Sequence, residues 1–256
     1  MISDPAFYLA AVPAVLIVGI SKGGFGGGLG VVAVPLLSLA IDPLRAAAIM
    51  LPILCLMDLF SVWAYRRRWD PVNLRILLPA ALAGIALAAA TFRLVDATFV
   101  RLLVGGIAVG FALDYWLKGR RKRGGSRGPD PLKGGFWGAI AGFTSFIAHA
   151  AGPPLGVYLL PQRLEKGLFV GTTVIFFTVI NYVKLVPYAW LGQLEVANLT
   201  TSLVLAPLAP LGVWLGVWLH GRIDENLFYR FCYLLVFMVG LKLLWEAFGA
   251  LAGGGG

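Results

Sequence analysis

Lys22 sits among seven glycines in the stretch Gly19-Ile20-Ser21-Lys22-Gly23-Gly24-Phe25-Gly26-Gly27-Gly28-Leu29-Gly30, with an apolar run on each side. In lipid-like surroundings a lysine costs about 3 kcal/mol or more unless it meets water, a partner or a ligand. Two readings follow. The ammonium supplies a positive charge for a substrate anion, or it snorkels to the outer interface. A second broken stretch lies about 120 positions later, Gly142-Phe143-Thr144-Ser145-Phe146-Ile147-Ala148-His149-Ala150-Ala151-Gly152-Pro153-Pro154. His149 has the chemistry to hydrogen-bond an anion or to carry a proton, and a structural bond to a carbonyl is the plain alternative. Ser21, Thr144 and Ser145 offer hydroxyls to the same end, or back-bond within their own turns.

Four further polar residues fall on one predicted span. Thr173 and Asn181 are eight apart and Asn181 and Lys184 three apart, with Thr172 alongside, so a helix brings them to a shared face. Their neighbours are apolar, so that face looks into the protein. Asp58 is the carboxylate set well inside a span, a candidate for proton coupling or for pairing with a lysine. Enzyme motifs are missing. The glycine run has no preceding strand and no terminal Gly-Lys-Ser/Thr, so it is not a nucleotide loop. Neither histidine has a nucleophile partner, and no spacing suggests a metal. No cofactor is expected.

The elements that must position these residues follow from composition. Hydrophobic residues make up 59% of the 256 and charged residues 13%. That is too apolar for a soluble domain, and the apolar blocks run to about 20 residues, enough to cross a bilayer as helix. The arms 6–21 and 29–41 flank the glycine stretch, and 134–161 is a second short-armed stretch. Both are read as hairpins of short helices broken near the bilayer midplane, because glycine costs about 1 kcal/mol each inside a helix. Full spans are expected at 46–65, 75–92, 98–117, 168–191, 196–219 and 227–248. Cys55 and Cys232 fall inside apolar blocks and read as buried small hydrophobes. The start lacks a basic n-region, so no cleaved signal peptide is expected, and the Gly253–Gly256 tail reads as disordered.

The halves echo each other. Trp69-Asp70-Pro71-Val72-Asn73-Leu74 aligns on Leu194-Glu195-Val196-Ala197-Asn198-Leu199, Gly24-Phe25 on Gly142-Phe143, Pro35-Leu36 on Pro154-Leu155, Phe99-Val100-Arg101 on Phe228-Tyr229-Arg230, and Trp116 on Trp245. Five matches in one order imply a duplication, as in many transporters. Residues 118–133 carry seven lysines and arginines against one aspartate, a net +6 of the chain's +9, which reads as a cytoplasmic loop and not as a nucleic-acid surface. With Arg66-Arg67-Arg68 also inside and the basic-free loop 191–195 outside, each half becomes a hairpin plus three spans. The halves then have opposite topology and both termini lie outside.

The expectation is an all-α integral membrane protein of about ten helical segments in a single domain, 1–256: repeat one 6–117, basic loop 118–133, repeat two 134–249. Irregular backbone at membrane depth persists only when buried in protein or lining a cavity. The second arm of each hairpin would aim its N-terminal N–H groups at the centre, and two such ends favour an anion.

Ser21-Lys22-Gly23-Gly24-Phe25-Gly26 followed by Pro35-Leu36-Leu37 resembles the first-half signature of the sulfite exporter TauE/SafE family. Gly142-Phe143 with Gly152-Pro153-Pro154, Thr172-Thr173, Asn181 through Lys184 to Pro187-Tyr188, and Tyr65-Arg66-Arg67-Arg68 with Asp70 are similar to it too, over roughly residues 10–248. The resemblance implies an inner-membrane permease, mostly exporting small sulfur-containing anions such as sulfite and sulfoacetate. It also implies that Lys22 and the Gly23–Gly28 loop, and then Asn181 and Lys184, line the substrate path. The expected substrate set is therefore Ser21, Lys22, Gly23, Gly24, Gly26, Ser145, His149, Thr172, Thr173, Asn181 and Lys184, with Asp58 and His149 as coupling candidates and the proton as a candidate ion. An anion channel with the same site, or a membrane-embedded enzyme or assembly subunit, are the competing readings. The anion, the direction in the cell and the oligomeric state stay open.

Overall fold

The computed structural model describes all residues except 1, 3, 28, 29, 38, 39, 93, 119–127, 191, 193 and 254–256. Gly28 and Leu29 of the glycine stretch, most of the basic loop, Leu191 and Gln193 of the loop expected outside, and most of the glycine tail thus fall outside the described residues. The chain is all-helical: α1 (Pro5–Gly24), α2 (Gly30–Leu37), α3 (Pro43–Ala64), α4 (Pro71–Thr91), α5 (Ala97–Lys118), α6 (Pro131–Ala148), α7 (Gly152–Leu159), a 3-10 turn Leu160–Gln162, α8 (Lys166–Trp190), α9 (Val196–Leu205), α10 (Leu208–Arg222) and α11 (Glu225–Gly253). Six of these helices are long and apolar enough to cross a membrane, and α9 with α10 makes one further, bent span. It is a multi-pass integral membrane protein.

Aspartates open the helices. Asp4, Asp42, Asp96, Asp130 and Asp224 each accept a backbone N–H in the first turn that follows, and proline occupies the first helical position of α1, α3 and α6. The Lys133 backbone N–H, with the Lys133 side chain, holds the exposed Asp130 carboxyl below the usual aspartate range. The capping charge it adds is therefore complete above that range and is lost as pH falls through the depressed value.

Two local differences from the sequence expectation have physical causes. The span expected at 196–219 is bent by 44° between α9 and α10. Pro207 has no N–H and its ring displaces the carbonyl of Leu203, which accepts from Ala206 at 3.3 Å in a tighter turn instead. The first hairpin arm does not stop before the glycines: α1 runs on through Gly23 and Gly24 and breaks at Phe25. A Cβ on Gly23 would lie 2.3 Å from the Val213 carbonyl oxygen, and one on Gly24 would lie 2.6 Å from that of Gly216. The missing side chains let α10 press against α1, and that packing keeps the glycines helical. The left-handed turn falls to Gly26 and Gly27, at φ 71° and 74°.

The chain forms two compact units, each drawing helices from both halves of the sequence. The first comprises Met1–Pro71 and Gly167–Ile223. Its core joins Phe7, Val15 and Val18 of α1 to Ile49 and Met57 of α3 and Val213 of α10. The second comprises Val72–Lys166 and Asp224–Gly256. There α6 packs on α4 as α1 does on α10, glycine to backbone: a Cβ on Gly142 would lie 2.0 Å from the Ala81 carbonyl oxygen, and one on Gly84 2.1 Å from that of Ala139. α5 lies along α11, with Tyr115 stacked on Tyr233 at 3.5 Å. Asn73 and Gln162 exchange amide hydrogen bonds of 2.8 and 3.1 Å, fastening the start of α4 to the turn that ends the second hairpin.

Candidate functional site

The polar centre of the first unit is built where the end of α1 meets α3 and α8. α3 presents Leu54, Asp58, Ser61 and Tyr65 at spacings of four, three and four, one stripe of a helix. Lys22, in the last turn of α1, puts its Nζ 2.7 Å from Asp58 Oδ1 and 3.0 Å from the Leu54 carbonyl oxygen, to which it donates. The negative end of the α1 dipole favours a cation in the same turn. Asn181 of α8 donates from Nδ2 to Asp58 Oδ2 at 2.9 Å, and the Thr178 hydroxyl is within reach of the same carboxylate. Lys22 and Asp58 are 3% and 0% exposed, so this is a buried ion pair held by an amide.

Lys184 is also fully buried, one helical turn beyond Asn181, and close enough to interact electrostatically with Lys22, Asp58 and Cys55. The charges decide what such a centre can do. Among the described residues Asp58 is the only buried carboxylate, against two buried lysines. Two buried lysines and one buried carboxylate thus share a centre away from water, a set of donors that an anion can complement.

The glycine tip is held by side chains that replace helical donors. Tyr65 donates its hydroxyl to the Gly23 carbonyl oxygen at 2.6 Å, and His220 Nδ1 lies 3.0 Å from that of Gly24. His220 therefore carries its proton on Nδ1, with the Tyr65 ring edge-on to it at 5.7 Å. Beyond the break, a Cβ on Gly26 would lie 2.7 Å from Thr173 Oγ1, and one on Gly27 3.2 Å from the Phe177 ring. Only glycine lets the tip rest this closely on α8. Ser21 is buried and its carbonyl oxygen accepts from the N–H groups of Phe25 and Gly27, closing the turn.

The residues expected from sequence thus divide. Ser21, Lys22, Gly23, Gly24, Gly26, Asp58, Thr172, Thr173, Asn181 and Lys184 all belong to the first unit, and the predicted face of α8 is buried throughout. Thr172 accepts from the Asp70 N–H at 2.9 Å and donates to Leu168, so it fastens the α3–α4 turn. Ser145 and His149 belong to the second unit. His149 ends α6 in the left-handed conformation, φ 51°, and its Nδ1 lies 3.2 Å from the Ser145 carbonyl oxygen. Sequence reasoning passed over His220 and Ser61. His220 gave no signal, because its partner is a backbone carbonyl 196 positions away. Ser61 was legible only as the residue one turn after Asp58.

Residues 11–243 match the profile of the family described as Sulfite exporter TauE/SafE. The chain belongs to the sulfite exporter TauE/SafE family. Among curated proteins and among solved structures, none matches it. A transporter family of this kind accounts for the apolar helices and for charged side chains buried among them.

Proposed function

We propose that this family member is a secondary transporter that exports a small sulfur-containing anion, an organosulfonate such as sulfoacetate or sulfite itself, by alternating access of two inverted repeats. The observation that carries the reading is the buried polar centre of the first unit: among the described residues, two buried lysines to one buried carboxylate. Asp58 pairs with Lys22 and fixes it, and the buried Lys22 and Lys184 side chains together offer donors to the anion. Asn181, Thr173 and the backbone of Ser21, Gly23, Gly24 and Gly26 complete the path in the first unit. The glycine-packed pairs α1 with α10 and α6 with α4 support the duplication, because in each the first hairpin arm lies on the fourth segment of the other half.

Export needs no ATP site. An anion leaving a negative-inside cell gains about 2.3 kcal/mol per charge per 100 mV, and a proton moving through Asp58 or His149 is the alternative drive. In this reading the protein lies in the inner membrane with the loop 118–133 cytoplasmic and both termini outside. Titration of purified protein with sulfite, thiosulfate, sulfoacetate, taurine and sulfate tests the substrate class. Saturable binding of at least one sulfur oxyanion is expected, and no binding of any of the five would refute the proposal.

A further inference from the structure

Hydroxyls on the buried helices of this chain find carbonyls. Thr144, Thr172, Thr173, Thr178, Thr201 and Ser202 each donate to a carbonyl oxygen three or four residues back, or lie within reach of one, at 2.7 to 3.0 Å. Ser61 does not. It is 0% exposed and, among the described residues, its Oγ is the only buried hydroxyl without a hydrogen-bond partner. A buried hydroxyl with no partner is costly, and a helical serine has an easy remedy in the preceding turn. Its position gives the reason for leaving that remedy unused. Ser61 stands between Asp58 and Tyr65 on the α3 stripe, and both neighbours bond the end of α1: Asp58 at Lys22 and Tyr65 at Gly23. Leu54, the fourth member, bonds Lys22 through its carbonyl.

We propose that Ser61 is a substrate-binding residue whose Oγ–H donates to an oxygen of the transported oxyanion, beside the lysine charge. The inference rests on the anion-transport reading and adds to it a hydroxyl donor, which suits an oxygen of a sulfite or sulfonate group. A hydrogen bond to a charged acceptor is among the stronger ones, so its loss is measurable.

The test compares wild type, Ser61→Ala and Ser61→Cys in the purified full chain. It measures sulfite and sulfoacetate affinity and, without ligand, the thermal unfolding midpoint. Ser61→Ala is expected to weaken binding by about tenfold or more while its midpoint stays at or above wild type, since the variant removes an unsatisfied buried group. Ser61→Cys, nearly isosteric with a weaker donor, falls between. If wild type binds and Ser61→Ala binds equally, the assignment is wrong although transport stands. Weakened binding with a lowered midpoint marks a packing role and also overturns it. If wild type binds neither anion, the Ser61 assignment fails, and the transport reading fails with it when thiosulfate, taurine and sulfate do not bind either.

Discussion

Asp58 binds two elements at once, Lys22 of α1 by an ion pair and Asn181 of α8 by a hydrogen bond, and this makes the lysine more than a charged side chain near a ligand. Removing one member of a buried ion pair leaves the other uncompensated, at a cost of about 3–5 kcal/mol. Lys22→Met should therefore lower the thermal midpoint sharply, and Lys22→Met with Asp58→Leu should recover most of it without recovering anion binding. A double variant as unstable as the single one would show that the pair is not what holds the tip. Asn181→Asp places a second carboxylate on the cluster, where it competes with an anion for the lysines. Sulfite affinity should fall by about tenfold or more while the neighbouring helices stay folded, which titration and circular dichroism together report. At this scale the sequence was legible in residue type and spacing. A lysine among glycines and a polar face on an apolar helix both signalled expense that needs a return. The pairing itself was not, because Lys22 and Asp58 are 36 positions apart and only the packing of α1 on α3 brings them together.

Between elements, glycine decides how near two helices come. Gly23, Gly24 and Gly216 let α1 and α10 touch backbone to backbone, and Gly84, Gly138 and Gly142 do the same for α4 and α6. The hairpins and most spans were readable from apolar length, since a 20-residue block leaves few choices in a bilayer. Reading glycine only as a helix breaker misplaced the end of α1, because contact with a neighbouring helix offsets the intrinsic cost. Gly142→Ala should destabilise the second unit by about 1–3 kcal/mol or more, since the obstacle is the Ala81 backbone and no side chain can step aside. Gly106→Ala, where a Cβ meets nothing within 4 Å, should leave stability unchanged or slightly raised. Midpoints of the two variants in one detergent give the comparison. An equal response would mean that the α4–α6 contact is not as close as described.

For the molecule as a whole, the charge distribution bears on orientation and the family on the class of cargo. With Cys55 and Cys232 both buried, introduced thiols can be read without background. Pro129→Cys should resist an impermeant thiol reagent in intact cells and Glu195→Cys should react, and the reverse would invert the topology. The most direct test of the central claim is counterflow of radiolabelled sulfoacetate and sulfite in proteoliposomes, wild type beside Lys184→Met. Lys184 is the second buried lysine of the first unit's polar centre. The account predicts saturable counterflow of at least one of the two anions by wild type, and its loss in a Lys184→Met protein that remains monodisperse. Equal counterflow by both proteins would contradict it.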